Sequence, residues 1–168
     1  YTLPGFVEIP PGGTVVDCGA FVGGFSIAAA RAGARVIAVE PAPLSFDCLT
    51  RNTAGLAVEC ANLGLSDHIG RARFSLKDNP TDNSLLPDDG VEVGAVEIAL
   101  TTLPQLLADR GLARADFVKV EAEGMELEVL ADVTPAIAPR LAIAAGPERM
   151  GASPLLDIAV MLAGRGYR

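Results

Sequence analysis

Residues 16–26 read Val16-Asp17-Cys18-Gly19-Ala20-Phe21-Val22-Gly23-Gly24-Phe25-Ser26. The lead-in, Thr14 to Cys18, follows the turn signal Pro11-Gly12-Gly13 and is short and β-branched. It reads as a buried strand. Phe25 to Arg31 is Ala-rich, favours helix and is stopped by Gly33. Between the two, glycines permit a tight strand-to-helix bend and close approach of the backbone to a ligand. The helix beyond presents N–H groups at its start to an anionic ligand group.

Working outward, the same alternation recurs. Arg35 to Glu40 is a second buried strand, and Pro41 and Pro43 open a helix over Leu44 to Thr53 with Gly55 after it. Val58 to Ala61, Phe117 to Glu121 and Arg140 to Ala145 are further strands. Leu103 to Arg110, Glu126 to Ala131 and Leu155 to Ala163 are helices; Ser153 is the expected N-cap of the last, with Pro154 at its first position. Alternating strands and helices predict an α/β, Rossmann-like fold: a mainly parallel sheet with helices on both faces. Ser66 to Val93 differs. Turn chemistry at Gly70, Asn79-Pro80, Asp82-Asn83 and Pro87-Asp88-Asp89-Gly90 interrupts two strands, Arg71 to Leu76 and Val93 to Leu100. The acidic run Asp78, Asp82, Asp88 and Asp89 reads as a solvated loop or as a lid over a substrate.

The chain has 168 residues, which suggests a single domain over 1–168. Half the residues are apolar, enough for a core and too many for disorder. Thirteen basic against 21 acidic residues give a net charge of −8. That balance argues against a nucleic-acid partner, which calls for a basic patch. No apolar run is long enough to span a bilayer, and with no leader pattern the expected compartment is cytoplasmic. Cys18, Cys48 and Cys60 are too few and too scattered for a disulfide framework or a zinc site, and are expected as small core residues.

In such sheets ligands sit beyond the carboxyl ends of the strands. The first strand end invites comparison with the dinucleotide pattern G-x-G-x-x-G, but Asp17 stands where that pattern starts with Gly. A carboxylate there would repel a pyrophosphate, which disfavours an NAD-dependent oxidoreductase. S-adenosyl-L-methionine suits the turn better: it has cationic groups for the carboxylate and a carboxylate for backbone N–H groups. Glu40, 21 residues after Gly19 at the second strand end, can accept hydrogen bonds from both ribose hydroxyls. Glu121 and Glu123 fall on one side of an extended segment, so either could take the proton of an alcohol acceptor. Alternatively, Glu121 serves the cofactor alone and Glu123 caps the following helix. No metal-ligand set is evident: Glu121 could supply one oxygen, but Ala144, Ala145 and Gly146 supply none. Lys119 lies in a strand buried on both faces and calls for a carboxylate partner. His68 reads as a solvated loop residue, with a base in the acceptor pocket as the alternative.

Four motifs resemble the FkbM-type family of class I S-adenosylmethionine-dependent methyltransferases: the opening stretch, Val39-Glu40-Pro41, Leu65-Ser66-Asp67, and Phe117-Val118-Lys119-Val120-Glu121-Ala122-Glu123-Gly124-Met125-Glu126-Leu127-Glu128-Val129-Leu130. They cover most of the chain from Gly13 to about Ala145, and the fourth is the most family-specific. The resemblance implies that Asp17, Gly19, Ala20, Phe21 and Gly23 shape the methionine end of the cofactor pocket. It implies that Glu40 holds the ribose with Pro41 nearby, that Ser66 and Asp67 lie near the adenine, and that Glu121 faces the cofactor amino group or the acceptor. Implied activity is O-methylation of a small hydroxylated acceptor, a natural product or sugar. A degenerate domain that binds cofactor without catalysis and, further off, an RNA methyltransferase are the alternatives.

Three departures stand out. Glu121 replaces the family's usual Asp, Pro104 stands where Asp is common, and Ile143-Ala144-Ala145-Gly146-Pro147 lacks the acidic residue and His common at that strand end. The family sheet ordinarily carries a further hairpin after the helix that ends near Gly164. The expectation is a domain lacking its last two strands, or a homodimer covering the edge so left.

Overall fold

A computed structural model of the chain describes residues 8–86, 91–146 and 152–167. The turn expected at 87–90, with Asp88 and Asp89, and Pro147 lie outside the described residues.

Among the described residues, eight strands and five helices follow one another: β1 (Thr14–Cys18), α1 (Gly24–Arg31), β2 (Arg35–Val39), α2 (Pro43–Asn52), β3 (Val58–Ala61), β4 (Gly64–Leu65), β5 (Gly70–Lys77), β6 (Glu92–Thr101), α3 (Leu103–Ala108), β7 (Phe117–Val120), α4 (Glu126–Val129), β8 (Leu141–Ile143) and α5 (Leu155–Gly164). A 3-10 turn, Pro80–Asp82, sits between β5 and β6. The main sheet is wholly parallel, in the order β3-β2-β1-β7-β8. The α/β, mainly parallel architecture read from the sequence is therefore present.

Period-2 alternation sorts the main-sheet residues into two cores. Val16, Ile37 and Val118 pack with Leu103, Leu106, Leu130 and Ile158 on one face. Val15, Val36 and Phe117 pack with Ala29 of α1 and Leu49 of α2 on the other. Register places Asp17 of β1 directly beside Lys119 of β7, so both charged side chains enter the layer between the sheet and α1.

Ser66 to Val93 does not add to the main sheet. β5 and β6 pair antiparallel, β4 joins β6 in parallel, and the three form a second sheet. Ala42, Phe74, Ile98 and Leu100 make its core. Two residues are too short for a periodic signal, which is why β4 was not legible.

Smaller departures have local causes. β8 is three residues rather than six, matching the span over which β7 pairs with it. Pro154, not Ser153, is the N-cap of α5; the Ser153 hydroxyl accepts from the Leu155 N–H at 3.3 Å while donating to the Ala145 carbonyl. Pro104 falls in the first turn of α3, where its missing N–H costs nothing. Only Cys18 is buried; Cys48 and Cys60 are half-buried, and all three are free thiols.

Candidate active site

The chain leaves β1 toward β2 and β3 on one side, then returns to β7 and β8 on the other. The switch point is the crevice beyond the carboxyl ends of β1 and β7, the position where open α/β sheets bind ligands. A cavity of about 310 Å³ lies there. Its walls include Gly19, Ala20, Phe21, Glu40 and Pro41 on the β1–β2 side and Lys119, Glu121 and Glu123 on the β7 side.

Gly19 shows why the first strand end needs glycine. Its φ is +73°, and a Cβ there would stand 1.8 Å from the Glu121 carbonyl oxygen. The turn after β1 thus lies hard against the loop after β7. Gly23, also left-handed, leads into α1, and a Cβ on it would crowd Leu49. It supports the turn from behind rather than lining the cavity.

Glu40 is buried and holds the turn in shape. Its Oε2 accepts the Phe21 N–H at 2.9 Å and its Oε1 the Ala42 N–H at 2.8 Å. Burial raises its pKa above the ordinary value, with these two bonds pulling the other way. Phe21 has φ +50°, a conformation that a non-glycine residue adopts only when its surroundings impose it. The bond to Glu40 is one such constraint.

Asp17 is fully buried beneath the cavity floor and does not line it. Its Oδ2 accepts from the Ser26 hydroxyl at 2.6 Å, and its Oδ1 lies 3.1 Å from Lys119 Nζ. Burial raises the Asp17 pKa, against the pull of Lys119. Lys119 also lies 3.1 Å from Glu121 Oε2 and donates to the Gly19 carbonyl at 2.6 Å. Burial opposes the ammonium, but Asp17 and Glu121 outweigh it and hold the Lys119 pKa above the usual lysine range. The carboxylate pairing read for Lys119 is present twice over. One ammonium ties both strand ends and the glycine turn together.

Glu121 and Glu123 both reach the cavity wall, half-buried. Glu123 has φ +47°. The Glu126 carboxylate, buried behind them, accepts the Ala122 N–H at 2.9 Å and braces the loop. Opposite this loop stands the β5–β6 excursion: Pro80, Thr81, Asn83 and Leu85 line the same cavity. Asp78 and Asp82 of the acidic run are exposed and do not line the cavity. Local sequence gave no sign of Phe74, Leu85 or Met125 as wall residues; the folding of the second sheet against the first brings them there.

Ser66 and Asp67 do not line the cavity, whose wall at that point is Gly64 and Leu65. Ser66 is buried and donates to Asp67. Asp67 is half exposed and bonded to His68 Nδ1 at 2.7 Å; these two hydrogen bonds, from His68 first, lower its pKa. His68 is exposed, as a loop residue should be, and lies outside the cavity. Among the described residues no group of three His, Cys, Asp or Glu side chains could hold a metal ion. No described helix is long and apolar enough to cross a membrane.

Residues 17–168 match the methyltransferase FkbM domain. Methyltransferase sdnD of Sordaria araneosa is 33% identical over 161 aligned positions, covering 75% of this chain and 62% of that protein. The 31-O-demethyl-FK506 methyltransferase FkbM of Streptomyces tacrolimicus is 28% identical over 200 positions, covering 96% of this chain and 75% of that protein. The chain thus spans under two thirds of the first relative's length. A Listeria monocytogenes structure described as an S-adenosylmethionine dependent methyltransferase aligns over 58% of this chain and 71% of its own, at 15% identity and a TM-score of 0.30, too low to bear on the fold. The match over residues 17–168 is decisive, and the chain belongs to the FkbM methyltransferase family.

Proposed function

We propose that the domain binds S-adenosylmethionine and transfers its methyl group to a hydroxyl oxygen of a small molecule. One observation carries the reading: a single switch-point cavity joins the Gly19–Phe21 turn, Glu40 and the Glu121–Glu123 loop. These residues fit the cofactor. Each Glu40 oxygen accepts one backbone N–H and keeps lone-pair capacity for a ribose hydroxyl. Glu121, on the wall with one oxygen turned to Lys119, favours a cationic ligand.

When bound, the cofactor supplies an electrophilic methyl carbon on a sulfonium. The protein's part is to hold the acceptor oxygen in line behind that carbon and to receive its proton. Glu121 and Glu123 are the carboxylates placed to receive it. Asp17 acts at one remove, by fixing Lys119 and, through Ser26, the start of α1. The relative named for 31-O-demethyl-FK506 supports an oxygen acceptor. A second copy of this chain is proposed at the outer edge of β8, which among the described strands pairs with β7 alone.

Ala144, Ala145 and Gly146 leave the end of β8 without polar side chains, which favours a second reading: cofactor binding without transfer. Calorimetric titration with S-adenosylmethionine and S-adenosylhomocysteine tests binding. Labelled-methyl transfer to a panel of hydroxylated natural products and sugars tests chemistry. Binding with transfer is expected. Binding without transfer to any acceptor supports the second reading, and no binding of either ligand overturns both.

A further inference from the structure

Ser84 stands out in the β5–β6 excursion. Residues 79–82 around it are exposed, yet Ser84 is 3% exposed. Its backbone exchanges two hydrogen bonds with Ser75 of β5, at 3.0 and 3.2 Å, so the residue is anchored to the second sheet. Its hydroxyl donates to the Glu123 carbonyl at 2.9 Å and accepts the Leu86 N–H at 3.0 Å. That hydroxyl links the second sheet to the loop after β7 across the cavity they share.

We infer that Ser84 is a positioning residue for Glu123, and that the second sheet thereby sets the geometry of the acceptor side of the site. Glu123 sits at φ +47° and Gly124 follows at φ +93°. Holding a non-glycine residue there costs roughly 1–2 kcal/mol. Rotation about the Glu123 N–Cα bond to the common negative φ would relieve that strain and swing the Glu123 carbonyl away. The Ser84 hydroxyl opposes this rotation. A buried hydrogen bond contributes about 1 kcal/mol net, the same order as the strain, so it can decide which conformation the loop keeps. With the carbonyl pinned, the Glu123 side chain stays at the cavity wall.

The inference rests on the methyl-transfer reading for its catalytic meaning, but its first test needs neither cofactor nor acceptor. Amide hydrogen exchange is followed in the wild type, Ser84→Ala and Ser84→Thr. The reporters are Ala122, bonded to Glu126, and Met125, bonded to the Ala122 carbonyl. The controls are Val36, bonded to the Ala57 carbonyl, and Val118, bonded to that of Arg140. Ser84→Ala is expected to speed exchange at both reporters about five- to tenfold, the equivalent of one lost hydrogen bond, with the controls unchanged. Ser84→Thr, which keeps the donor, should restore slow exchange. Unchanged reporters overturn the inference. So does equal acceleration of reporters and controls, which would mark a merely structural role, or failure of a Thr variant with wild-type Tm to restore protection. With an acceptor from the panel, Ser84→Ala should lower kcat and leave the KM for cofactor in place; a change confined to that KM would overturn the inference.

Discussion

One glycine, one glutamate and one aspartate at the strand ends carry different burdens. Gly19 is fixed by geometry, since its missing Cβ is the space that the Glu121 carbonyl occupies. Gly19→Ala is expected to cost about 2–4 kcal/mol, combining overpacking with a left-handed φ that alanine resists; thermal or urea unfolding measures it. Glu40 is fixed by its two backbone donors. Glu40→Ala should weaken S-adenosylmethionine binding at least tenfold, about 1.4 kcal/mol, as read by calorimetry. Because burial raises the Glu40 pKa above 4.5, the folded form holds its proton to higher pH than the unfolded form does. The stability from this group is present below pH 4.5 and is lost as pH rises through the raised value. A Tm series upward from pH 4.5 should therefore show the wild type losing ground to Glu40→Ala. That Gly19 and Glu40 stand at the strand-end cavity was legible from spacing alone. The role of Asp17 was not. A carboxylate at a strand end reads as a ligand contact, whereas register with Lys119 and the reach of Ser26 turn it into a buried brace.

Single elements show why some segments announce themselves and others do not. β1, β2 and α1 are legible because their neighbours in sequence set them: β-branched runs for the strands, an Ala-rich run closed by Gly33 for the helix. The strands Arg71–Leu76 and Val93–Leu100 are legible too, within β5 and β6, but their place in a second sheet is not, because it depends on pairing between residues far apart, such as Arg71 opposite Ala99. Its exposed strand faces add the ion pairs Arg71–Glu97 and Arg73–Glu92, which contribute little to stability at such exposure. α3 begins at a working N-cap, where the Thr102 hydroxyl accepts the Gln105 N–H at 3.2 Å. Thr102→Ala should cost about 0.5–2 kcal/mol, measured by denaturant midpoint at constant m-value. α1 is tied to the sheet by the buried Ser26 bond to Asp17. Ser26→Ala leaves that carboxylate a donor short and should cost about 1–3 kcal/mol. Cofactor affinity should fall with it, since the start of α1 belongs to the cavity wall.

At the scale of the molecule, the second sheet and the main sheet meet over the cavity. α5 carries Leu155, Leu156 and Val160 exposed on its surface, at 61%, 74% and 66%. The proposed homodimer would bury this apolar face beside the edge of β8, which among the described strands pairs with β7 alone, and self-association is its expected outcome. Sedimentation velocity should show it weakened by Leu156→Lys; a monomer at all concentrations would count against a homodimer. The parallel sheet itself was legible as an architecture because buried strands and helices alternate along the chain. The shared cavity was not, since no local pattern tells one sheet that another will close over it. That division of the cavity has a consequence for how such a protein can change over generations. The half that faces the glycine turn is constrained by backbone packing so close that a single methyl group would not fit. The half contributed by Pro80 to Leu85 belongs to the connection between β5 and β6 of the second sheet. Variation can accumulate in the second half while the first stays fixed, so on the function proposed above a lineage built on this plan can explore new acceptors without relearning how to hold its methyl donor.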